Sequence, residues 1–186
     1  MTSMEESRVK LKICLIGGPA VGKSSLIRRF VDDEFNDDYT VTLGTRITKK
    51  ELRLPVTDGE EPEGVTLVIW DIMGQEGIRE LLKEAFFQGA QGILMVCDVT
   101  RPETLPRLEG WRESVQEVAG PLPSYLLATK VDLTERVSLS EQELDAACRG
   151  WDCSWQFCSA KTGQGVEEAF EKLTRLVLDG MRAPAL

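Results

Sequence analysis

The run Gly17-Gly18-Pro19-Ala20-Val21-Gly22-Lys23-Ser24 has the spacing GxxxxGK[ST]. Such a loop turns backbone N–H groups, with those of a following helix N-terminus, onto phosphate oxygens. Lys23 would reach the β- and γ-phosphates of a nucleotide, and the Ser24 hydroxyl is an oxygen ligand suited to Mg²⁺. A second run, Asp71-Ile72-Met73-Gly74-Gln75-Glu76, puts a carboxylate in reach of that ion through water. Gly74 leaves room for its N–H to approach a γ-phosphate, and Gln75 can orient an attacking water. A third, Thr129-Lys130-Val131-Asp132, offers one carboxylate to the N1–H and N2–H₂ donors of guanine. Adenine lacks those donors, so an unpaired buried Asp132 would select against it. A fourth, Ser159-Ala160-Lys161, places the Ala160 N–H where it can donate to guanine O6.

Each run needs an element to hold it. Residues 9–16 read as an apolar strand ahead of the first, with a helical pattern over 24–31 behind it. Residues 45–54 alternate as an edge strand does, and 65–70 form its hairpin partner across the turn-rich segment 55–64. Further strands are predicted over 92–97, 124–128 and 154–158. Leu105, Leu108, Val115 and Val118 share one helical face. Ser140 and Glu143 have capping-box spacing, and Val166, Phe170, Leu173 and Val177 form a last amphipathic helix. The alternation predicts an α/β fold: a six-stranded, mostly parallel sheet with one antiparallel edge strand and helices on both faces. The four runs all follow strands, at the sheet end where such folds bind ligands.

Composition removes rivals. The chain has 186 residues and a net charge of −9 from 22 Lys and Arg against 31 Asp and Glu. That balance argues against nucleic acid and anionic membrane as partners. There is no His, which excludes Ser-His-Asp catalysis and HExxH zinc sites. Cys14, Cys97, Cys148, Cys153 and Cys158 match no zinc spacing and read as structural thiols in a reducing compartment. No stretch is long enough to span a membrane, and no signal peptide is recognisable. Position 2 is Thr and the last residues carry no Cys, so no direct lipid anchor is expected.

Taken in order, the four motifs make the sequence resemble the Ras superfamily of small GTPases over residues 9–180, most like the Rab branch. The branch resemblance lies in Trp70-Asp71 before Gly74-Gln75-Glu76, in Phe86-Phe87 and in Asp32-Asp33-Glu34-Phe35-Asn36. It implies a P-loop NTPase G domain over 9–180, a flexible stretch over 1–8 and a short tail over 181–186. It implies a cytoplasmic, monomeric GTP/GDP switch that uses Mg²⁺, hydrolyses GTP slowly and reaches membranes through partners. Switch I maps to 35–44 and switch II to 71–87, where an activating protein, an exchange factor and effectors would bind. Phe35 would pack edge-on against guanine, Tyr39 would close over the phosphates, and Thr42 would bind Mg²⁺ and sense the γ-phosphate. The implied nucleotide-binding set is Gly18, Pro19, Ala20, Val21, Gly22, Lys23, Ser24, Ser25, Phe35, Tyr39, Thr42, Gly74, Thr129, Lys130, Asp132, Leu133, Ser159, Ala160 and Lys161. Gln75, Lys23 and Thr42 carry catalysis; Ser24, Thr42 and, through water, Asp71 hold the metal. Ile47, Trp70 and Phe86 or Phe87 take the places of an effector-facing hydrophobic triad. Pro19 departs from the family's usual Gly, Met73 from Ala, and Thr129 from Asn. The alternative is a guanine-nucleotide-binding module with little or no hydrolysis.

Overall fold

The computed structural model describes residues 9–38, 41–55 and 63–183. Six strands form one sheet in the order β2-β3-β1-β4-β5-β6. They are β1 (Val9–Ile16), β2 (Thr45–Leu54), β3 (Glu63–Ile72), β4 (Gly92–Asp98), β5 (Ser124–Thr129) and β6 (Ser154–Phe157). Only β2 runs antiparallel, against β3; every other neighbouring pair is parallel. The predicted architecture stands. β1 and β2 have the bounds expected from the sequence, while β3 extends two residues further at each end.

Alternation along the central strands builds two cores. Leu11, Ile13 and Leu15 of β1 join Leu94, Val96, Tyr125 and Leu127 beneath α1 (Lys23–Asp32) and α5 (Val166–Arg182). There Phe30 stacks on Phe170 with ring centroids 3.9 Å apart. Cys14, Ile16, Ile93, Met95, Cys97, Leu126 and Ala128 point to the opposite face. They pack against α2 (Glu76–Phe87), α3 (Leu108–Ala119) and α4 (Glu141–Trp151). Period-two side-chain direction is what lets one apolar strand serve both layers.

Several expectations change. Residues 76–87 fold as a helix that the sequence did not mark. Leu105 lies ahead of α3, though it is buried with it. The α5 helix continues to Arg182, so the expected tail from 181 begins inside a helix. Ser140 and Glu143 do form the capping box that starts α4. Residues 1–8, Tyr39 and the acidic stretch 56–62 lie outside the described residues.

Candidate functional site

β1 delivers the chain to Gly17, whose φ is 148° and whose Cβ, if present, would sit 2.4 Å from the Val96 carbonyl. Only glycine fits that approach. From there to α1, every carbonyl has a donor. Lys23 Nζ donates to Gly17 O and Gly18 O, both at 2.8 Å. Arg101 Nη2 donates to Pro19 O at 3.1 Å, and Lys130 Nζ to Ala20 O at 2.8 Å. Thr129 Oγ1 is 2.6 Å from Val21 O, and Leu26 N–H donates to Gly22 O at 2.9 Å. In a trans peptide the N–H points opposite to its carbonyl. Fixing the carbonyls of 19–21 therefore turns the N–H groups of Ala20, Val21 and Gly22 away from those donors, into the loop's concavity. Pro19 has no N–H to contribute.

Ala20 holds φ 58°, a left-handed conformation costing about 1–2 kcal/mol for an L residue. Its carbonyl bond from the charged Lys130 is worth roughly 1.5–3 kcal/mol, enough to offset that strain. Lys130 is oriented in turn by Asp98 Oδ2 at 2.6 Å, which also accepts from Arg101 Nε at 3.0 Å. Burial alone would raise the Asp98 pKa. The bonds from Lys130 and Thr100 outweigh burial and hold this carboxyl below the usual aspartate value. Lys23 is buried, and desolvation brings its ammonium down to about 8.

The proposed metal ligands converge. Ser24 Oγ lies 2.9 Å from Thr42 Oγ1 and also donates to Asp71 Oδ2. The other carboxylate oxygen, Asp71 Oδ1, is buried without a hydrogen-bond partner among the described residues. Two hydroxyls and a carboxylate with an unsatisfied oxygen form a hard-oxygen set that fits Mg²⁺. Burial pushes the Asp71 pKa up, against the opposing pull of Ser24, Lys23 and Arg46.

The segment after β3, expected to act as switch II, rests against this loop. Met73 is buried and its N–H donates to Gly44 O at 3.1 Å, tying the end of β3 to the end of switch I. A Cβ on Gly74 would lie 2.5 Å from Gly18 C and from Pro19 N. Gln75 is exposed at the start of α2, its carbonyl accepting from Ile78 and Arg79.

The guanine-motif residues also meet. Ser159 Oγ donates to Asp132 Oδ1 at 2.6 Å and accepts from Thr162 N–H at 3.1 Å. Arg29 of α1 donates to the carbonyls of Ala160 (2.7 Å) and Lys161 (2.8 Å), binding this loop to the helix behind the phosphate loop. Ser25, Phe35 and Leu133 are half-buried. The hydrophobic triad does not assemble as expected. Ile47 is 52% exposed and stands opposite the half-buried Trp70 across β2–β3, but Phe86 and Phe87 are buried in the second core.

Sequence reasoning missed Arg101. Its signal was faint: a lone cation three residues after Asp98, 82 positions from the carbonyl it holds.

The sheet order and the loops at its carboxyl ends define a P-loop nucleotide-binding protein. The sequence signature of the Ras family matches residues 12–179. The chain is 36% identical over 170 residues to Ras-related protein Rab-18-B of Danio rerio, covering 90% of this chain and 79% of that protein. It is 34% identical over 180 residues to Ras-related protein Rab-7b of Bos taurus, covering 95% and 86%. With Ras-related protein Rab-13 of Bos taurus it shares 32% over 168 residues, covering 90% and 79%. The chain belongs to the Ras family and is Rab-like: a small GTPase switch that binds GTP and GDP with Mg²⁺ and hydrolyses GTP. The non-hydrolysing alternative is not favoured. Among the described residues, no helix is long and apolar enough to cross a membrane.

Proposed function

We propose that each step of the switch is carried by the residues brought together above. The observation that carries this reading is the ring of donors on the carbonyls from Gly17 to Gly22, beside the three oxygen ligands at Ser24, Thr42 and Asp71. The loop N–H groups of 20–24 cradle the phosphates, and Lys23 keeps its charge by pairing with them. Ser24 and Thr42 ligate Mg²⁺, with Asp71 reaching it through water. A Mg²⁺ ion held by these residues would supply neutralisation of the charge that develops on the phosphate oxygens. Gln75 aligns the attacking water, and Thr42 and Gly74 report the γ-phosphate to the two switches. Asp132 accepts from guanine N1–H and N2–H₂ while Ser159 fixes its other oxygen, and Ala160 N–H donates to O6. Phe35, Tyr39, Ser25, Leu133 and Lys161 complete the nucleotide contacts.

A single G domain runs from residue 9 to the end of α5 and works as a monomer. Activating protein, exchange factor and effectors dock on switch I and switch II. The half-exposed Ile47–Trp70 pair and the exposed Leu43, Leu81 and Leu82 offer apolar surface on that side.

Base recognition has a direct test in Asp132→Asn. Losing two charge-assisted bonds of about 1.5–3 kcal/mol each weakens GTP binding roughly 10²–10⁴-fold. Xanthosine triphosphate, which offers an acceptor to the new amide, should bind the variant better than GTP does. Unchanged GTP affinity by equilibrium titration would remove Asp132 from the base site.

A further inference from the structure

The α4 helix ends at Trp151, and the chain reverses into β6 through Asp152, at φ 52° and ψ 52°. The N–H groups of Asp152 and Cys153 both donate to the Cys148 carbonyl, the latter at 3.1 Å. In this helix-ending turn the residue beyond the left-handed position packs its side chain on the residue five places earlier. Here both positions are cysteine. All five cysteines are free thiols. Cys14, Cys97 and Cys158 are wholly buried in the cores and Cys148 nearly so, whereas Cys153 is half-exposed. Cys148 and Cys153 both line an open groove of about 510 Å³, with Asp145, Arg149 and Trp155 on its walls. Trp155 Nε1 donates to Asp145 Oδ1 at 2.8 Å, which fixes one wall.

We propose that Cys153 and Cys148 form a redox-active dithiol, which a hydroperoxide oxidises to a disulfide tying the end of α4 to the start of β6. The geometry sets their roles. Cys153 is the accessible sulfur, and Cys148 lies behind it as the resolving thiol. The neighbouring Cys148 thiol, helped by the nearby Arg112 guanidinium, holds Cys153 below the ordinary cysteine range, while the Cys153 thiol and burial push Cys148 up. Arg112 reaches this corner from α3, with its guanidinium 5.2 Å from the Trp151 ring. An accessible, acidified thiol beside a second thiol is the usual arrangement of a peroxide-sensitive pair.

The chemistry balances. The Cys153 thiolate attacks one peroxide oxygen, the O–O bond breaks, and the departing alkoxide or hydroxide takes up a proton. Cys148 then attacks the sulfenic sulfur; an S–S bond forms, the S–O bond breaks, and water leaves with the Cys148 proton. The two thiols lose two electrons and two protons, and the hydroperoxide becomes water and an alcohol, or two waters when it is hydrogen peroxide.

Trypsin provides a clean test on the full chain, because Arg149 lies between the two cysteines. GDP-loaded protein is treated with a small excess of hydrogen peroxide, alkylated under denaturing conditions and digested without reduction. Peptides 137–149 and 150–161 should then remain joined, two hydrogens lighter than their sum, with fragment ions placing the bridge at Cys148–Cys153 and Cys158 alkylated. In Cys148→Ser the sulfenic acid cannot be resolved, so dimedone should accumulate on Cys153; in Cys153→Ser neither bridge nor adduct should form. Separate peptides from the wild-type protein, a bridge to Cys158, or dimedone spread evenly over the cysteines would overturn the proposal.

Discussion

From Gly17 to Gly22 each carbonyl has a donor, Lys23 serving the first two, and three of the donors arrive from β5, the loop after it and the loop after β4. Between Glu34 and Gly44 the described chain is irregular and largely exposed, with Val41 and Leu43 at 50% and 83%. Its ties are few: Thr42 to Ser24, Gly44 to Met73, and an Asn36 side chain accepting from Asp38 N–H. One half of the site is over-determined, and the other is held at two points beside the phosphate position. The difference teaches how a switch is divided. The part that must recognise every nucleotide state is built rigid, and the part that must tell two states apart is left with bonds weak enough to change.

That division can be broken from either side. Lys23→Ala removes the donor to two loop carbonyls and the buried cation proposed to pair with the phosphates. Nucleotide affinity should fall about 10²–10³-fold by titration, whichever guanine nucleotide is used. Gln75→Leu acts on the other half. GDP affinity should hold, while single-turnover GTP hydrolysis slows roughly 10–100-fold, the worth of one lost orienting bond of about 1.5–3 kcal/mol. Equal hydrolysis by variant and wild type would take Gln75 out of the mechanism. Arg101→Ala is a subtler change in the rigid half. The Pro19 carbonyl loses its donor, and GDP release measured with a fluorescent analogue should speed up about two- to tenfold, as for a partly exposed bond of roughly 0.5–1.5 kcal/mol. Arg101→Lys should recover only part of this, since one ammonium replaces a fork that spans Asp98 and Pro19.

The smallest effect is one of acidity. Asp98 is held below its usual value of 3.8, so the folded state binds its proton less readily than the unfolded chain. Its contribution is complete above that value and fades as pH falls through the lower, folded one. Urea midpoints followed into the acid range should therefore decline less steeply for Asp98→Asn than for wild type.

Much of this was readable in the residues. Gly17 closes the apolar run of β1, and Gly44 and Pro55 flank the alternation of β2, so both strands were placed without error. The four loop motifs stood out in the sequence because phosphate, Mg²⁺ and guanine each demand particular residue types in order. Long-range contacts were not. Nothing in 76–87 shows that Phe86 and Phe87 turn inward to meet the back of the sheet, so an effector-facing place was expected for one of them. Arg101 gave only a faint local sign, its spacing from Asp98, because its other partner is a backbone carbonyl distant in sequence. The five-residue spacing of Cys148 and Cys153 was visible, but the turn that makes it a contact depends on Asp152 adopting φ 52° with no glycine there to announce it.

The two margins of the sheet matter for the protein's behaviour in a crowded solution. Among the described residues β2 has a strand neighbour on one side only, and at ten residues it is long enough to template another strand. It also carries Arg46, Lys49 and Arg53 exposed along its length against the single exposed acid Glu51, a basic excess in a molecule whose net charge is otherwise strongly negative. A second copy arriving edge to edge would have to bring these like charges together. The opposite margin, β6, is only four residues long and offers little to grip. Colloidal stability is thus written into the sheet's borders, where one edge is guarded by charge and the other by brevity.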